Sequence, residues 1–229
     1  MPVRDHLNSQ IRITDGPLDS HPMWEPNTPN TKYALVFTAD PQRANRAQLF
    51  ITGIQSGSKA FPLPAPGQSD QNFDGQWSPD EKNIVFASKR DGNTDIYVMD
   101  NHFANLRRLT ANGGSNSSPV WSPNGQQIAF VSDRDGHLNI YVMNADGSNP
   151  QALTSGSAIS VQPRWSPDGK RLVFMSTRDG NQEIYTMAAD GSNVRRLTNS
   201  PGKDIMPDWS PCVDVPYQAA QCKSDSPSH

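Results

Sequence analysis

Five tryptophans set the frame for this chain. Four of them open the same turn: Trp77-Ser78-Pro79-Asp80, Trp121-Ser122-Pro123-Asn124, Trp165-Ser166-Pro167-Asp168 and Trp209-Ser210-Pro211. They recur every 44 residues. The fifth, in Trp24-Glu25-Pro26, stands 53 residues before Trp77, so the first unit carries about nine extra residues. Such regularity predicts a series of similar small units, each burying apolar surface against its neighbours. A hydrophobic content of 34% suits several small cores better than one deep one.

The similarity runs through each unit. An apolar run follows the Trp-Ser-Pro turn, at Ile84-Val85-Phe86, Ile128-Ala129-Phe130 and Leu172-Val173-Phe174. Arg90-Asp91-Gly92, Arg134-Asp135-Gly136 and Arg178-Asp179-Gly180 come next. A second run reads Ile96-Tyr97-Val98-Met99, Ile140-Tyr141-Val142-Met143 and Ile184-Tyr185-Thr186-Met187. Another Asp-Gly turn, at Asp146-Gly147 and Asp190-Gly191, leads to Ala152-Leu153-Thr154 and Arg196-Leu197-Thr198, and Arg108-Leu109-Thr110 ends the second unit at the same place. The runs are short and rich in β-formers, and Asp-Gly between them favours hairpins because glycine accepts positive φ. Each unit therefore reads as a four-stranded antiparallel meander. Adjacent apolar residues within a run predict strands buried on both faces. Blades stacked round an axis provide that burial. The fold class is all-β: a β-propeller of four-stranded antiparallel blades, with four complete units plus one composite or partial blade.

The Trp-Ser-Pro-Asp-Gly, Arg-Asp-Gly, Ile-Tyr-x-Met and Asp-Gly-Ser-Asn-x-x-Arg-Leu-Thr segments resemble the TolB-like propeller repeat, a relative of the WD repeat. The resemblance covers residues 11–211, between an N-terminal tail of residues 1–10 and a C-terminal tail of residues 212–229. It implies a periplasmic or secreted setting, a protein or peptide partner, and a cell-envelope assembly. It also leaves open a Ca²⁺ in the central channel. Ring closure is expected from the chain ends: Arg12-Ile13-Thr14 before Pro22-Met23-Trp24 mimics Arg196-Leu197-Thr198 before Pro207-Asp208-Trp209. The two ends would then share one composite blade.

The net charge is −3, with 20 basic and 23 acidic residues, which leaves no large basic field for nucleic acid. No stretch approaches the roughly 18 apolar residues of a membrane-spanning helix. Met1 to Gln10 lacks the apolar core of a signal peptide. Either the protein is not exported by that route or a signal was removed before this numbering begins. Cys212 and Cys222 stand near the C-terminus. A disulfide tying the tail and two free thiols both remain open.

Catalytic signatures are missing: there is no Gly-x-Ser-x-Gly elbow and no paired-histidine zinc motif. The Asp-Gly turns answer to hairpin geometry rather than to a cation loop. The recurrent Arg90, Arg134 and Arg178 point to a structural role, such as an inter-blade ion pair. Positions where the units disagree are better site candidates. His21, Asp74, Ser118, Gln162 and Met206 are equivalent positions on the inner strands, expected near the channel mouth. The joining loops also vary freely, which suits a binding surface. The partner-binding candidates are His21, Asp74, Asn116, Ser118, Ser160, Gln162, Arg164, Lys203 and Asp204. The insert from Pro41 to Gln48 and the segment from Phe61 to Pro66 are further candidates.

The first functional expectation is a non-enzymatic interaction or scaffold module of a bacterial envelope or secreted assembly. It would bind through inter-blade loops and the channel mouth, without a cofactor. One alternative is a metal-assisted lyase or hydrolase acting on a sugar, with His21, Asp74 and Gln162 first to test. The other is the non-catalytic propeller of a prolyl-oligopeptidase-like enzyme.

Overall fold

A computed structural model describes residues 20–24, 34–39, 48–53, 61–62, 71–111 and 113–209. The described chain forms four antiparallel four-stranded sheets, one for each complete unit. The first pairs β1 (Ser20–Trp24), β2 (Ala34–Ala39), β3 (Gln48–Gly53) and β4 (Phe61–Pro62) in that order. The second holds β5 (Asn72–Trp77), β6 (Asn83–Asp91), β7 (Asn93–Asp100) and β8 (Arg107–Arg108). The third holds β9 (Asn116–Trp121), β10 (Gln127–Ser132), β11 (Asn139–Asn144) and β12 (Gln151–Ala152). The fourth holds β13 (Ser160–Trp165), β14 (Arg171–Ser176), β15 (Glu183–Ala188) and β16 (Arg195–Arg196). Phe61 and Pro62 thus form the outer strand of the first blade.

Local chemistry accounts for each blade. The Trp-Ser-Pro turn closes through Ser122 and Ser166, whose carbonyls accept the N–H of Gly125 and Gly169 at 2.8 Å. The same serine hydroxyls donate to Asn124 and Asp168 and accept the amides of Gln127 and Arg171. The Ser166 hydroxyl, then the Lys170 N–H, hold the Asp168 carboxyl below its ordinary value. The two middle strands bury nearly every residue: β10 is buried from Ile128 to Ser132 and β14 from Leu172 to Ser176.

Those two buried faces meet different neighbours. Val85, Ala87, Ile96 and Val98 on one side of the second blade pack with Trp121, Ile128, Phe130, Tyr141 and Met143 of the third. Val120, Ala129, Ile140 and Val142 repeat this against Trp165, Leu172, Phe174, Tyr185 and Met187 of the fourth. The recurrent tryptophan fills the gap between blades, and Trp165 Nε1 donates to the Val120 carbonyl at 3.3 Å. Each interface buries several large side chains, each contributing on the order of 1.5–3 kcal/mol in transfer terms.

Packing runs from each sheet to the next. Among the described residues, no strand of the first sheet contacts a strand of the fourth. The four blades therefore form an arc. A fifth unit starts on the free side of the fourth blade, where Trp209 Nε1 donates to the Arg164 carbonyl at 3.1 Å. Arg12-Ile13-Thr14, the insert before Gln48, residues 63–66, Cys212, Cys222 and both tails lie outside the described residues.

The arginine of the Arg-Asp-Gly turn has a different role from the expected inter-blade ion pair. Arg134 lies over the rings of Phe130 and Tyr141 in its own blade, 5.5 and 4.8 Å from their centroids. Its Nε donates to Ser132 Oγ and its Nη2 to Asn116 Oδ1. Arg90 and Arg178 stack in the same way. The tyrosine then donates to the aspartate of the same turn, Tyr141 to Asp135 and Tyr185 to Asp179. Burial first, then the nearby aspartate, pushes Tyr141 and Tyr185 up to about 12, so both phenols stay protonated as donors.

Candidate functional site

The meander places two kinds of connection on opposite rims. The Trp-Ser-Pro and Asp-Gly-Ser turns share one rim, tied where Ala145 N–H bonds the Gln126 carbonyl and Ala189 N–H the Lys170 carbonyl. The Arg-Asp-Gly turns and the variable joining loops share the other. There Asp133 N–H bonds the Ser115 carbonyl, and Thr177 N–H bonds the Ile159 carbonyl. Two bonds on this rim cross between units, Ser160 N–H to the Leu138 carbonyl and Asp204 N–H to the Gln182 carbonyl, both 2.8 Å.

The inner strands carry a bulge that sequence reasoning did not anticipate. The pairing register shifts between Phe73 and Gln76 and between Val161 and Arg164. Within it Asp74, Ser118 and Gln162 take φ of 53°, 51° and 58°, the left-handed region that favours glycine, and Met206, 44 residues after Gln162, takes 57°. Interblade bonds hold this backbone. Ser118 N and Oγ both donate to Asp74 Oδ2 at 3.1 Å, and Met206 N donates to Gln162 Oε1 at 2.8 Å. The side chain on one bulge thus clasps the backbone of the next. His21 lies in β1, within the equivalent register shift between Ser20 and Met23.

The structure separates the remaining candidates. Asn116 and Ser160 open their inner strands and are buried. Asn116 Nδ2 donates to Asp95, and Ser160 Oγ bonds Ser176 Oγ. Both were expected at a partner surface and are instead internal fasteners. Arg164 is half-buried on the free side of the fourth blade, away from the rim turns, and its guanidinium donates to the Pro163 carbonyl. Lys203 is exposed and Asp204 half-buried in the last joining loop. Among the described residues no three His, Cys, Asp or Glu side chains gather to hold a metal.

Four apolar residues stand out on the loop rim, of which Leu138, Ile159 and Ile205 were not named by sequence reasoning and Met206 was, as one of the equivalent inner-strand positions. Leu138 and Ile159 are exposed on either side of the Ser160-to-Leu138 bond. Ile205 and Met206 follow in the last loop, Met206 69% exposed. Only six large hydrophobic side chains are this exposed among the described residues; the other two are Val194 and Leu197. Lone apolar residues in polar loops gave the only signal for them.

A sequence profile of the TolB β-propeller domain matches residues 22–163 and 152–217. The chain belongs to the TolB β-propeller family. Solved structures agree. A TolB from Agrobacterium tumefaciens shares 26% identity at a TM-score of 0.64, over 72% of this chain and 61% of that one. TolB from Acinetobacter baumannii shares 23% identity at a TM-score of 0.63, over 82% of this chain and 45% of that one. A puromycin-hydrolysing peptidase of Mycobacterium tuberculosis shows the fold at 18% identity and a TM-score of 0.58, over 77% of this chain and 30% of that one. The chain thus spans less than two thirds of either TolB. No curated protein sequence matches it.

Proposed function

We propose that this TolB-family propeller is a non-catalytic protein-binding module that engages its partner through the joining-loop rim of the third and fourth blades. The observation that carries this reading is the placement of Leu138, Ile159, Ile205 and Met206, four of the six exposed large hydrophobics among the described residues, on that rim. Apolar anchors ringed by Ser, Asn and Asp loops match the centre-and-rim organisation of protein interfaces. Family membership supports a bacterial envelope setting and a protein or peptide partner. The bulge residues Asp74, Ser118 and Gln162 act here as braces that fix the loops rather than as acid or base groups.

The test is affinity purification from envelope extracts with the intact chain and with Ile159→Asp and Leu138→Asp variants. Both sites are exposed, so the variants should melt like the parent. A protein retained by the parent and lost by both variants supports the reading. Retention unchanged in both variants, or turnover of a substrate by the purified chain, contradicts it.

A further inference from the structure

A cavity of about 500 Å³ opens between the second and third blades, on the rim of the Trp-Ser-Pro turns. Ligand pockets commonly measure about 300–1,000 Å³. One wall is the Trp-Ser-Pro turn and outer strand of the second blade; the other is the Trp-Ser-Pro and Asp-Gly turns of the third. Each of these two blades packs against a further blade on its other side. Both walls are described throughout. Most of the lining recurs at the next interface, 44 residues on, but four positions do not. Asp80, Asn83, Arg107 and Asn124 line this cavity, where the next interface has Asn124, Gln127, Gln151 and Asp168. The next interface thus keeps two acids, Asp168 and Asp190, and has no cation among these positions. This cavity has two acids, Asp80 and Asp146, together with Arg107.

The polar groups of the cavity keep capacity to bind. Arg107 is exposed and, among the described residues, forms no hydrogen bond or ion pair, whereas its neighbour Arg108 is held by Asp95. The Ser148 hydroxyl and N–H first, and Arg107 after them, hold the Asp146 carboxyl below its ordinary value. The guanidinium is therefore near this acid without pairing to it. Asp80 Oδ1 accepts from Ser78 Oγ and the Lys82 N–H, and Oδ2 faces only the exposed Lys82 ammonium at 3.7 Å. Trp121 adds a buried donor to the wall. Its Nε1 has no partner, whereas Trp165 and Trp209 each donate to the carbonyl 45 residues earlier. A buried donor left unpaired is rare and calls for a ligand or another acceptor.

We propose that this cavity binds a small zwitterion, a free amino acid or short peptide, with its carboxylate on Arg107 and its ammonium against Asp80 and Asp146. The charge pattern makes the choice. An anion would face two carboxylates, and a cation would face the guanidinium. A ligand with both ends meets each group with its opposite. The planar fork of an arginine matches a carboxylate, and the Trp121 N–H offers that carboxylate a second donor. Pro79, Pro123 and Ala145 supply apolar wall for the side chain, which favours one such as leucine. The site lies on the rim opposite the joining loops and stands whether or not those loops bind a protein.

The test is an NMR titration of the intact chain with L-leucine and with the dipeptide Leu-Leu, whose relative affinities distinguish a free amino acid from a peptide. Two controls are 4-methylpentanoate, which lacks the ammonium, and 3-methylbutylamine, which lacks the carboxylate. At least one zwitterion should saturate with a Kd below about 1 mM and move the Trp121 indole N–H signal, assigned by its loss in Trp121→Phe. Each control should bind about tenfold or more weakly. Arg107→Gln and Asp80→Asn should each weaken the zwitterion by about tenfold or more with unchanged melting curves. Both variants copy the next interface, where Asn124 already makes to Ser122 and Gln126 the bonds that Asp80 makes to Ser78 and Lys82. Saturation by neither zwitterion below about 1 mM would overturn the proposal. So would a control that binds as well as the zwitterion, or binding indifferent to Arg107→Gln.

Discussion

Arg108 Nη2 donates to the buried carboxylate of Asp95 at 2.5 Å, and the arginine stands across the sheet from Tyr97, two residues after that aspartate. The fourth blade repeats the pair as Arg196 and Glu183, at 2.7 Å. At the same two positions the third blade has Ala152 and Asn139, and the first has Pro62 and Gln48. The acid thus occurs only in blades that also supply the arginine. Thr110 Oγ1 and Asn116 Nδ2 complete the ring of donors round Asp95. Breaking a buried pair from one side leaves a charge without compensation. Arg108→Ala should therefore destabilise by about 1–3 kcal/mol. Asp95→Asn combined with Arg108→Ala reproduces the third blade and should cost less than Arg108→Ala alone. Urea unfolding of the single and double variants checks the order.

The same device predicts a pH response. The Thr198 hydroxyl first, then Arg196, Asn181 and the Ser200 N–H, hold Glu183 down to about 2, against burial and from an ordinary value of 4.5. A depressed carboxyl stabilises the fold above its unfolded pKa, and that contribution is lost as the pH falls through the folded value. Glu183→Gln should lower Tm at neutral pH. The gap to the parent should close between pH 4.5 and about 2. Thermal melts across that range measure it.

Glycines at two kinds of turn should respond differently to alanine. Gly136 has a φ of +87° and nothing within 4 Å of an added Cβ. Gly147 has a φ of +90° and backbone atoms of Leu109 at 2.9 Å. Gly136→Ala should cost about 1 kcal/mol, from the backbone region alone. Gly147→Ala should cost more, because the third blade must also move off the second. Chemical denaturation of the two variants compares them.

Arg134 should not tolerate lysine. Its planar fork stacks on Phe130 and Tyr141 while reaching both Ser132 and Asn116. An ammonium keeps the charge and loses the stacking and the fork. Arg134→Lys should destabilise by about 1–2 kcal/mol, which equilibrium unfolding would detect.

The strand plan was legible in the residues because each Trp-Ser-Pro and Asp-Gly turn marks a hairpin and each paired apolar run fills a two-sided strand. The Arg134 clamp was not. Phe130 and Tyr141 lie on separate strands and meet only through the register that sets them opposite each other. The bulge was hidden for a similar reason. Nothing in the side chains of Asp74, Ser118 or Gln162 announces positive φ, which bonds from the neighbouring blade hold in place. Asn116 and Ser160 read as loop residues but begin their strands, where they turn inward. The variability of the joining loops was legible from comparing the units, and the register of the meander sets those loops on one rim with the Arg-Asp-Gly turns. Their apolar anchors emerged only once exposure could be compared around the molecule.

Site-specific photo-crosslinking on the two rims tests the central claim most directly. A photoreactive residue would replace Ile159 on the joining-loop rim and, separately, Asn124 on the uniform-turn rim, both exposed. The account predicts a discrete protein adduct from position 159 and none from position 124, with the adduct lost on Leu138→Asp. Equal adducts from both positions, or an adduct from position 124 alone, would contradict it.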